Sequence, residues 1–149
     1  MPIKMKAAYN LYILLAMVFT MSASQNVVEE KLLLDWGARV GLAARLENVR
    51  SAQLENLIAS LDSVESREAL LATAAFALRQ AERLGTGRTM ARIVNQAMLD
   101  LYEKNAGKEH ARKMLGFAKW VYEAITAPPR GLRPEQATLE ELLRRLAGR

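Results

Sequence analysis

The chain has 149 residues, no cysteine, one histidine and a formal net charge of +5. The lack of cysteine excludes disulfides and thiolate chemistry, and a single histidine leaves almost no route to a zinc site or to histidine-based catalysis. Alanine (24 residues) and leucine (23 residues) outnumber all β-branched residues together, which favours a single all-α domain.

The first twenty residues combine two lysines with an apolar stretch that begins at residue 7. The dense apolar core at residues 11–19 is short for a membrane span. A secretory signal has the same order, although Met21 is too large for the usual cleavage pattern. A third interpretation is that synthesis starts at Met21 and that residues 1–20 are a spurious extension. The alternatives for this segment are therefore a signal, an anchor or an extension.

After this segment, apolar residues recur at the three-to-four spacing of amphipathic helices. The spacing predicts five helices, over residues 25–46, 51–61, 67–84, 88–104 and 108–126. Short connections favour antiparallel neighbours, so residues 21–127 are predicted to form a compact bundle of about five antiparallel helices.

Two features of the helices carry more specific expectations. Gly37 and Gly41 lie four residues apart on the first helix, where they either admit a close neighbouring helix or weaken their own. The predicted apolar stripes include Leu46 on the first helix and Leu71 and Leu78 on the third. These leucines are therefore expected to face the core.

Residues 128–149 are predicted to be a C-terminal tail with a short amphipathic helix. Pro134 suits the first turn of that helix. One face carries four leucines, at positions Leu139, Leu142, Leu143 and Leu146. The helix either docks on the bundle or binds another chain.

Signatures of catalysis are scarce. A ferritin-like di-iron site requires Glu-x-x-His, but Gly107 stands three positions before His110. The acidic residues are scattered, and no pair lies in an apolar setting that would raise a carboxyl pKa for acid–base work. The sequence therefore predicts a protein that is not an enzyme, with no catalytic residues, no metal and no cofactor.

The positive charge is concentrated in the second half of the chain. Residues 1–74 carry seven Lys or Arg against eight Asp or Glu, whereas residues 75–149 carry 14 against eight. This asymmetry is typical of proteins that bind a polyanion, and it also occurs in soluble basic proteins without such a partner.

The basic residues of the second half fall into two groups. Two pairs, each spaced four residues apart, flank the turn at residues 85–87, and further cations share a face of the fifth helix. The eight candidates for contact with a nucleic-acid backbone are Arg79, Arg83, Arg88, Arg92, Lys108, Arg112, Lys113 and Lys119. The alternative is a solvated face paired locally with Glu82, Glu103 and Glu109.

The turn Gly85-Thr86-Gly87 has two interpretations of its own. A glycine turn that opens a helix offers backbone N–H groups to a phosphate, although the P-loop pattern is missing. The alternative is a tight turn with a glycine cap and a threonine N-cap. Among the aromatic residues, Trp36, Phe117 and Trp120 are expected to make core or subunit contacts rather than to stack on bases.

Three stretches carry a resemblance to a known family: residues 49–57 (VRSAQLENL), residues 70–83 (LLATAAFALRQAER) and residues 117–125 (FAKWVYEAI). They resemble, in that order, the short capped helix, the apolar central helix and the closing helix of the small all-helical subunit of type III-A CRISPR effector complexes. Related small subunits of other multi-subunit CRISPR effectors are equally helical and basic.

The resemblance implies a cytoplasmic, non-catalytic subunit for antiviral defence. Its copies would stack beside other effector subunits and hold guide and target RNA through backbone contacts. A cytoplasmic location favours Met21 as the start and makes a membrane partner unlikely. Two alternatives remain from the residues: a membrane-tethered or secreted helical adaptor, and a helix–turn–helix DNA-binding protein that reads with its fourth helix.

Overall fold

The computed structural model describes residues 10–15 and 28–148. The described residues contain helices and no strand, which confirms the predicted all-α class. Residues 10–15 form a short exposed helical segment. The remainder of the N-terminal segment, the alternative start at Met21 and the predicted beginning of the first helix at residue 25 lie outside the described residues.

The chain from residue 28 onward forms six α-helices at bounds close to the predicted ones. They are α1 (Glu30–Leu46), α2 (Ser51–Ser60), α3 (Ala69–Leu84), α4 (Arg88–Glu103), α5 (Lys108–Ala124) and α6 (Leu139–Ala147). Short 3-10 turns at Leu61–Ser63 and Pro134–Gln136 follow α2 and precede α6. In the part of the chain described here, no helix is long and apolar enough to cross a membrane.

Helices α1 to α5 pack as a closed ring. The most extensive contacts join α1 to α5 and α3 to α4, and the α1–α4, α2–α5 and α2–α3 contacts complete the ring. A ring with an odd number of helices contains at least one parallel pair. That pair is α1 and α5, because Gly37 lies against Phe117 whereas Gly41, one turn later, lies against Ala118 and Val121.

The two glycines of α1 permit the close approach of the parallel pair. A Cβ atom added at Gly41 would lie 2.6 Å from the carbonyl oxygen of Ala118, and one at Gly37 would lie 2.8 Å from the Cβ of Phe117. No larger residue fits at these positions without a shift of α5. The first of the two interpretations of this glycine pair is therefore confirmed.

The core consists mainly of the predicted stripes. The apolar spacing predicts a stripe of six residues on α4 and one of seven on the fifth helix, and all of them are buried: Met90, Ile93, Val94, Ala97, Met98 and Leu101, and Ala111, Met114, Leu115, Ala118, Val121, Tyr122 and Ile125. Three other predictions are wrong, because Leu46, Leu71 and Leu78 are exposed by 43%, 37% and 52%. On α3 the spacing also predicts Leu70, Ala74, Ala77 and Ala81 for the stripe, and these four are buried. The inward face of α3 is therefore narrower than predicted and leaves out Leu71 and Leu78.

The C-terminal segment docks on the bundle, which settles the alternative left by the sequence. Leu142 is buried in a second apolar cluster with residues of α1 and α5, including Leu42 and Ile125. Two hydrogen bonds fix the segment to α1: Arg39 Nε donates to the carbonyl of Ala137 at 2.9 Å, and Asp35 accepts from the backbone N–H of residue 139 at 3.0 Å.

Two details of this segment differ from the prediction. Pro134 begins the 3-10 turn rather than α6, and the hydroxyl of Thr138 caps α6 by accepting from the backbone N–H of Glu141 at 3.2 Å. Leu143 is 52% exposed because the docked face of this short helix is narrow.

Candidate nucleic-acid interface

The turn between α3 and α4 reverses the chain within three residues. Gly85 and Gly87 have φ values of +70° and +83°, in the left-handed region that favours glycine. Gly85 caps the end of α3, as predicted, whereas the N-cap residue of α4 is Gly87 rather than a threonine. The Thr86 hydroxyl donates instead to the carbonyl of Glu47 at 2.9 Å.

An internal carboxylate occupies the start of α4. The Glu47 side chain accepts hydrogen bonds from the backbone N–H groups of Thr89 (3.2 Å) and Met90 (2.8 Å). A carboxylate at this end is favoured by the helix dipole and satisfies two otherwise unpaired donors. A phosphate bound at this helix end would therefore have to displace Glu47. No local sequence signal points to this residue, because it lies more than 40 positions before its partners.

The four arginines of the α3–α4 hairpin differ in their surroundings. Arg88 lies 3.9 Å from Glu82, and Arg92 lies 3.3 Å from Glu135 of the C-terminal segment. Arg79 and Arg83 are exposed and make no ion pair or side-chain hydrogen bond within the described chain. These two arginines are one helical turn apart and lie on the same side of α3.

Three candidate cations of α5 reach toward α2 and the turn that follows it. Lys108 Nζ donates to a backbone carbonyl of that turn region at 2.7 Å, Arg112 pairs with Asp62 at 2.7 Å, and Lys119 pairs with Glu55 at 2.8 Å. They therefore share one face, as the spacing predicts.

Lys113 lies on the other side of α5 and pairs with Glu30 of α1 at 2.7 Å. The acidic partners of the α5 cations thus come from other elements. Of the predicted local partners, Glu82 pairs with an arginine, whereas neither Glu103 nor Glu109 is an ion-pair partner of the eight candidates.

Two of these exposed pairs favour the charged form of one partner. A hydrogen bond from Lys113, together with its charge, lowers the pKa of Glu30, and a hydrogen bond to Glu55 raises the pKa of Lys119. Exposed ion pairs are screened by salt and are weak. A phosphate chain that approaches α5 therefore competes only with weak internal partners.

The aromatic residues occupy distinct positions. Trp36 is partly buried and donates from its indole nitrogen to Asp100 at 3.0 Å. Phe117 is also partly buried and packs on the core. Trp120 is 70% exposed, so its assignment to the core is wrong and its assignment to a subunit contact stays a prediction. Its ring lies 5.8 Å from that of Phe117.

A groove between α2 and α3 was not anticipated from the sequence. It has a volume of about 530 Å³ and is lined by residues of both helices, including Asn56, Phe76 and Arg79. The groove places Phe76 and Arg79 of α3 beside residues of α2. The sequence shows that these two residues share a helix, but it does not show which helix packs next to them.

The described residues offer no metal centre, since no three histidine or acidic side chains among them lie close enough to hold an ion. The single histidine, His110, accepts a hydrogen bond from the backbone N–H of Gly107 at 3.3 Å and so caps the start of α5. No protein-family model, no curated protein and no solved structure matches this chain.

Proposed function

We propose that this protein is a non-catalytic structural subunit that binds RNA through its phosphate backbone. The observation that carries the proposal is the pair Arg79 and Arg83, exposed on one side of α3 without an acidic partner in the described chain. Phosphate contacts depend on cations, and unpaired cations bind without the loss of an internal ion pair.

The remaining candidates extend this surface on both flanking elements. Arg88 lies just across the glycine turn, and its contact with Glu82 is long at 3.9 Å. Lys119 and Arg112 lie on the far side of α2 and exchange their carboxylate partners for phosphates. Helix α2 carries no lysine or arginine, so an RNA strand that crosses α3 and α2 meets the arginines of α3 on one side of α2 and the cations of α5 on the other.

The resemblance of residues 49–57, 70–83 and 117–125 supports a more specific role within this proposal. The chain acts in the cytoplasm as the small subunit of a CRISPR ribonucleoprotein effector in antiviral defence. Its partners there are guide and target RNA, other effector subunits and further copies of itself. The chemistry it supplies is positioning rather than catalysis.

The proposal is tested with two matched double variants. Arg79→Gln with Arg83→Gln removes the unpaired cations of α3. Arg130→Gln with Arg133→Gln removes the same charge from the exposed C-terminal segment. For single strands the binding constant varies with salt to about the power −0.7 per phosphate contact, so two lost contacts weaken binding about 25-fold at 0.1 M salt.

The measurement is fluorescence anisotropy of a labelled single-stranded RNA. The α3 variant should bind the RNA more weakly by this factor, and the C-terminal variant should keep the affinity of the unmodified protein. If both variants lose the same RNA affinity, only the net charge of the protein matters. If both keep the original RNA affinity, α3 does not contact RNA. Either result overturns the proposal. A strong preference for one duplex DNA sequence would instead indicate a helix–turn–helix reader.

A further inference from the structure

We infer that the groove between α2 and α3 holds an unstacked base of the bound RNA strand, with Phe76 as the stacking surface. Arg79 and Arg83 contact the phosphates on either side of that base. This inference rests on the proposed function and adds to it a contact that depends on the base rather than on the backbone charge.

The groove is an open surface depression with the volume of a small-ligand site. Its volume of about 530 Å³ lies within the range of roughly 300–1,000 Å³ that is usual for such sites. Its small lining residues, Ala59, Ala72 and Ala75, leave space between the two helices. The space between the helices suits a flat base better than a bulky, branched side chain.

Phe76 is fixed in a way that suits stacking. Its side chain is partly buried and packs against the core, and it also lines the groove. A ring held by the core loses little conformational freedom when a base stacks on it. Aromatic side chains bind successive bases of single strands without a strict sequence preference, because every base offers a π face.

The polar groups of the groove fit a nucleotide. The Ser60 hydroxyl is engaged with the carbonyl of Leu57 and the hydroxyl of Thr73 at 2.6 and 2.8 Å. The exposed Asn56 amide has no side-chain hydrogen bond within the described chain, so it is available to a base edge. Amide groups both donate and accept, which makes this contact compatible with several bases.

The charge around the groove selects an anionic occupant. None of the described residues that line it is acidic, and Arg79 is its one cationic lining residue. The acidic residues directly next to its lining residues in sequence, Glu55 and Asp62, are paired with Lys119 and Arg112. An apolar peptide would leave the two unpaired arginines of α3 without a partner, whereas a nucleotide strand satisfies both.

The test compares two proteins on two strands. The proteins are the full chain and its Phe76→Leu variant, which keeps an apolar contact with the core. The strands are an RNA oligomer and a ribophosphate oligomer of the same length in which every nucleotide is abasic. Equal phosphate numbers keep the electrostatic contribution constant, so the affinity ratio of the two strands measures the contribution of the bases.

The unmodified protein should bind the base-bearing strand about tenfold more tightly than the abasic strand. Phe76→Leu should reduce this ratio to near one without weakening the binding of the abasic strand. Trp120→Leu is the control, because Trp120 is exposed on α5 and does not line the groove, and it should leave the ratio unchanged. Circular dichroism of both variants checks that the helices are retained.

Base binding in the groove and binding of the RNA backbone are tested separately. If Phe76→Leu keeps the full ratio, or if Trp120→Leu abolishes it instead, the groove does not hold a base, and this inference is overturned while backbone binding stands. If neither strand binds the unmodified protein, backbone binding fails as well.

Discussion

The approach of α1 to α5 makes a strong prediction about two glycines. In Gly41→Ala the new Cβ would lie 2.6 Å from the carbonyl oxygen of Ala118 and 2.9 Å from the Cβ of Val121. Optimal contacts between carbon atoms are about 3.5–4.0 Å, and a backbone carbonyl cannot rotate away as a side chain can. The two helices must therefore move apart along their most extensive interface.

The magnitude follows from two opposing contributions. Overpacking of a well-packed core costs about 1–3 kcal/mol, and replacing an interior helical glycine by alanine contributes about 1 kcal/mol in favour of folding. Gly116→Ala is the matched control, since Gly116 lies inside α5 with no atom within 4 Å of an added Cβ. Helix propensity cancels between the two variants, so their free energies of unfolding should differ by about 1–3 kcal/mol.

The assay is urea unfolding followed by circular dichroism, with a common m-value for both variants. Gly116→Ala should raise the free energy of unfolding by about 1 kcal/mol. The free energy of unfolding of Gly41→Ala should be lower than that of Gly116→Ala by the overpacking cost of about 1–3 kcal/mol. If both variants are stabilised equally, α1 and α5 are not in contact at Gly41, and the parallel arrangement of these helices is refuted.

Three further predictions concern the cap, an ion pair and the docked tail. Glu47→Ala removes both acceptors at the start of α4 and should lower the free energy of unfolding in urea by about 1 kcal/mol; no change would contradict the capping role. A hydrogen bond from Lys113 lowers the pKa of Glu30. The stability that this ion pair contributes is therefore present above the ordinary glutamate pKa, and it is lost as the pH falls through the lowered pKa of Glu30. Glu30→Gln should therefore flatten the acid side of a plot of Tm against pH, and an unaltered acid side would argue against this pair. Leu142→Ala should release α6 and speed tryptic cleavage after residues 144 and 145, whereas the exposed Leu143→Ala should not; equal cleavage would contradict the docked position.

The sequence predicts the helices better than it predicts their inward faces. In α4 the large apolar residues form one unambiguous stripe, so both the helix and its buried side follow from the spacing. In α3 alanines and leucines lie around much of the helix, so the spacing predicts a wide stripe that includes Leu78 beside Ala77. How much of that stripe is buried depends on the neighbouring helices, which the periodicity of one segment does not encode.

Features that join distant segments were the hardest to predict. Short connections correctly indicate antiparallel neighbours for α2 with α3 and for α3 with α4, whereas the short connection from α1 to α2 does not join two packed helices. They carry no information about α1 and α5, which are far apart in the chain. Glu47 caps a helix that begins 41 positions later, and Asp62 pairs with Arg112. Local spacing rules describe pairs three or four residues apart, so they assigned partners within the same helix.

The candidate site was also predicted only in part. The sequence locates the eight cations, but which of them form ion pairs depends on the acidic residues that other elements bring near. Arg79 and Arg83 stand out only because no such residue reaches them in the described chain. The groove beside them requires two helices and cannot be seen in either one alone.

The salt dependence of RNA binding tests the central claim most directly. The logarithm of the binding constant of the unmodified chain should fall linearly with the logarithm of salt concentration. In Arg79→Gln with Arg83→Gln the slope should be shallower by about 1.4, which corresponds to two lost phosphate contacts on a single strand. Arg130→Gln with Arg133→Gln should keep the original slope. A slope that is the same in all three proteins would contradict the assignment of RNA binding to α3.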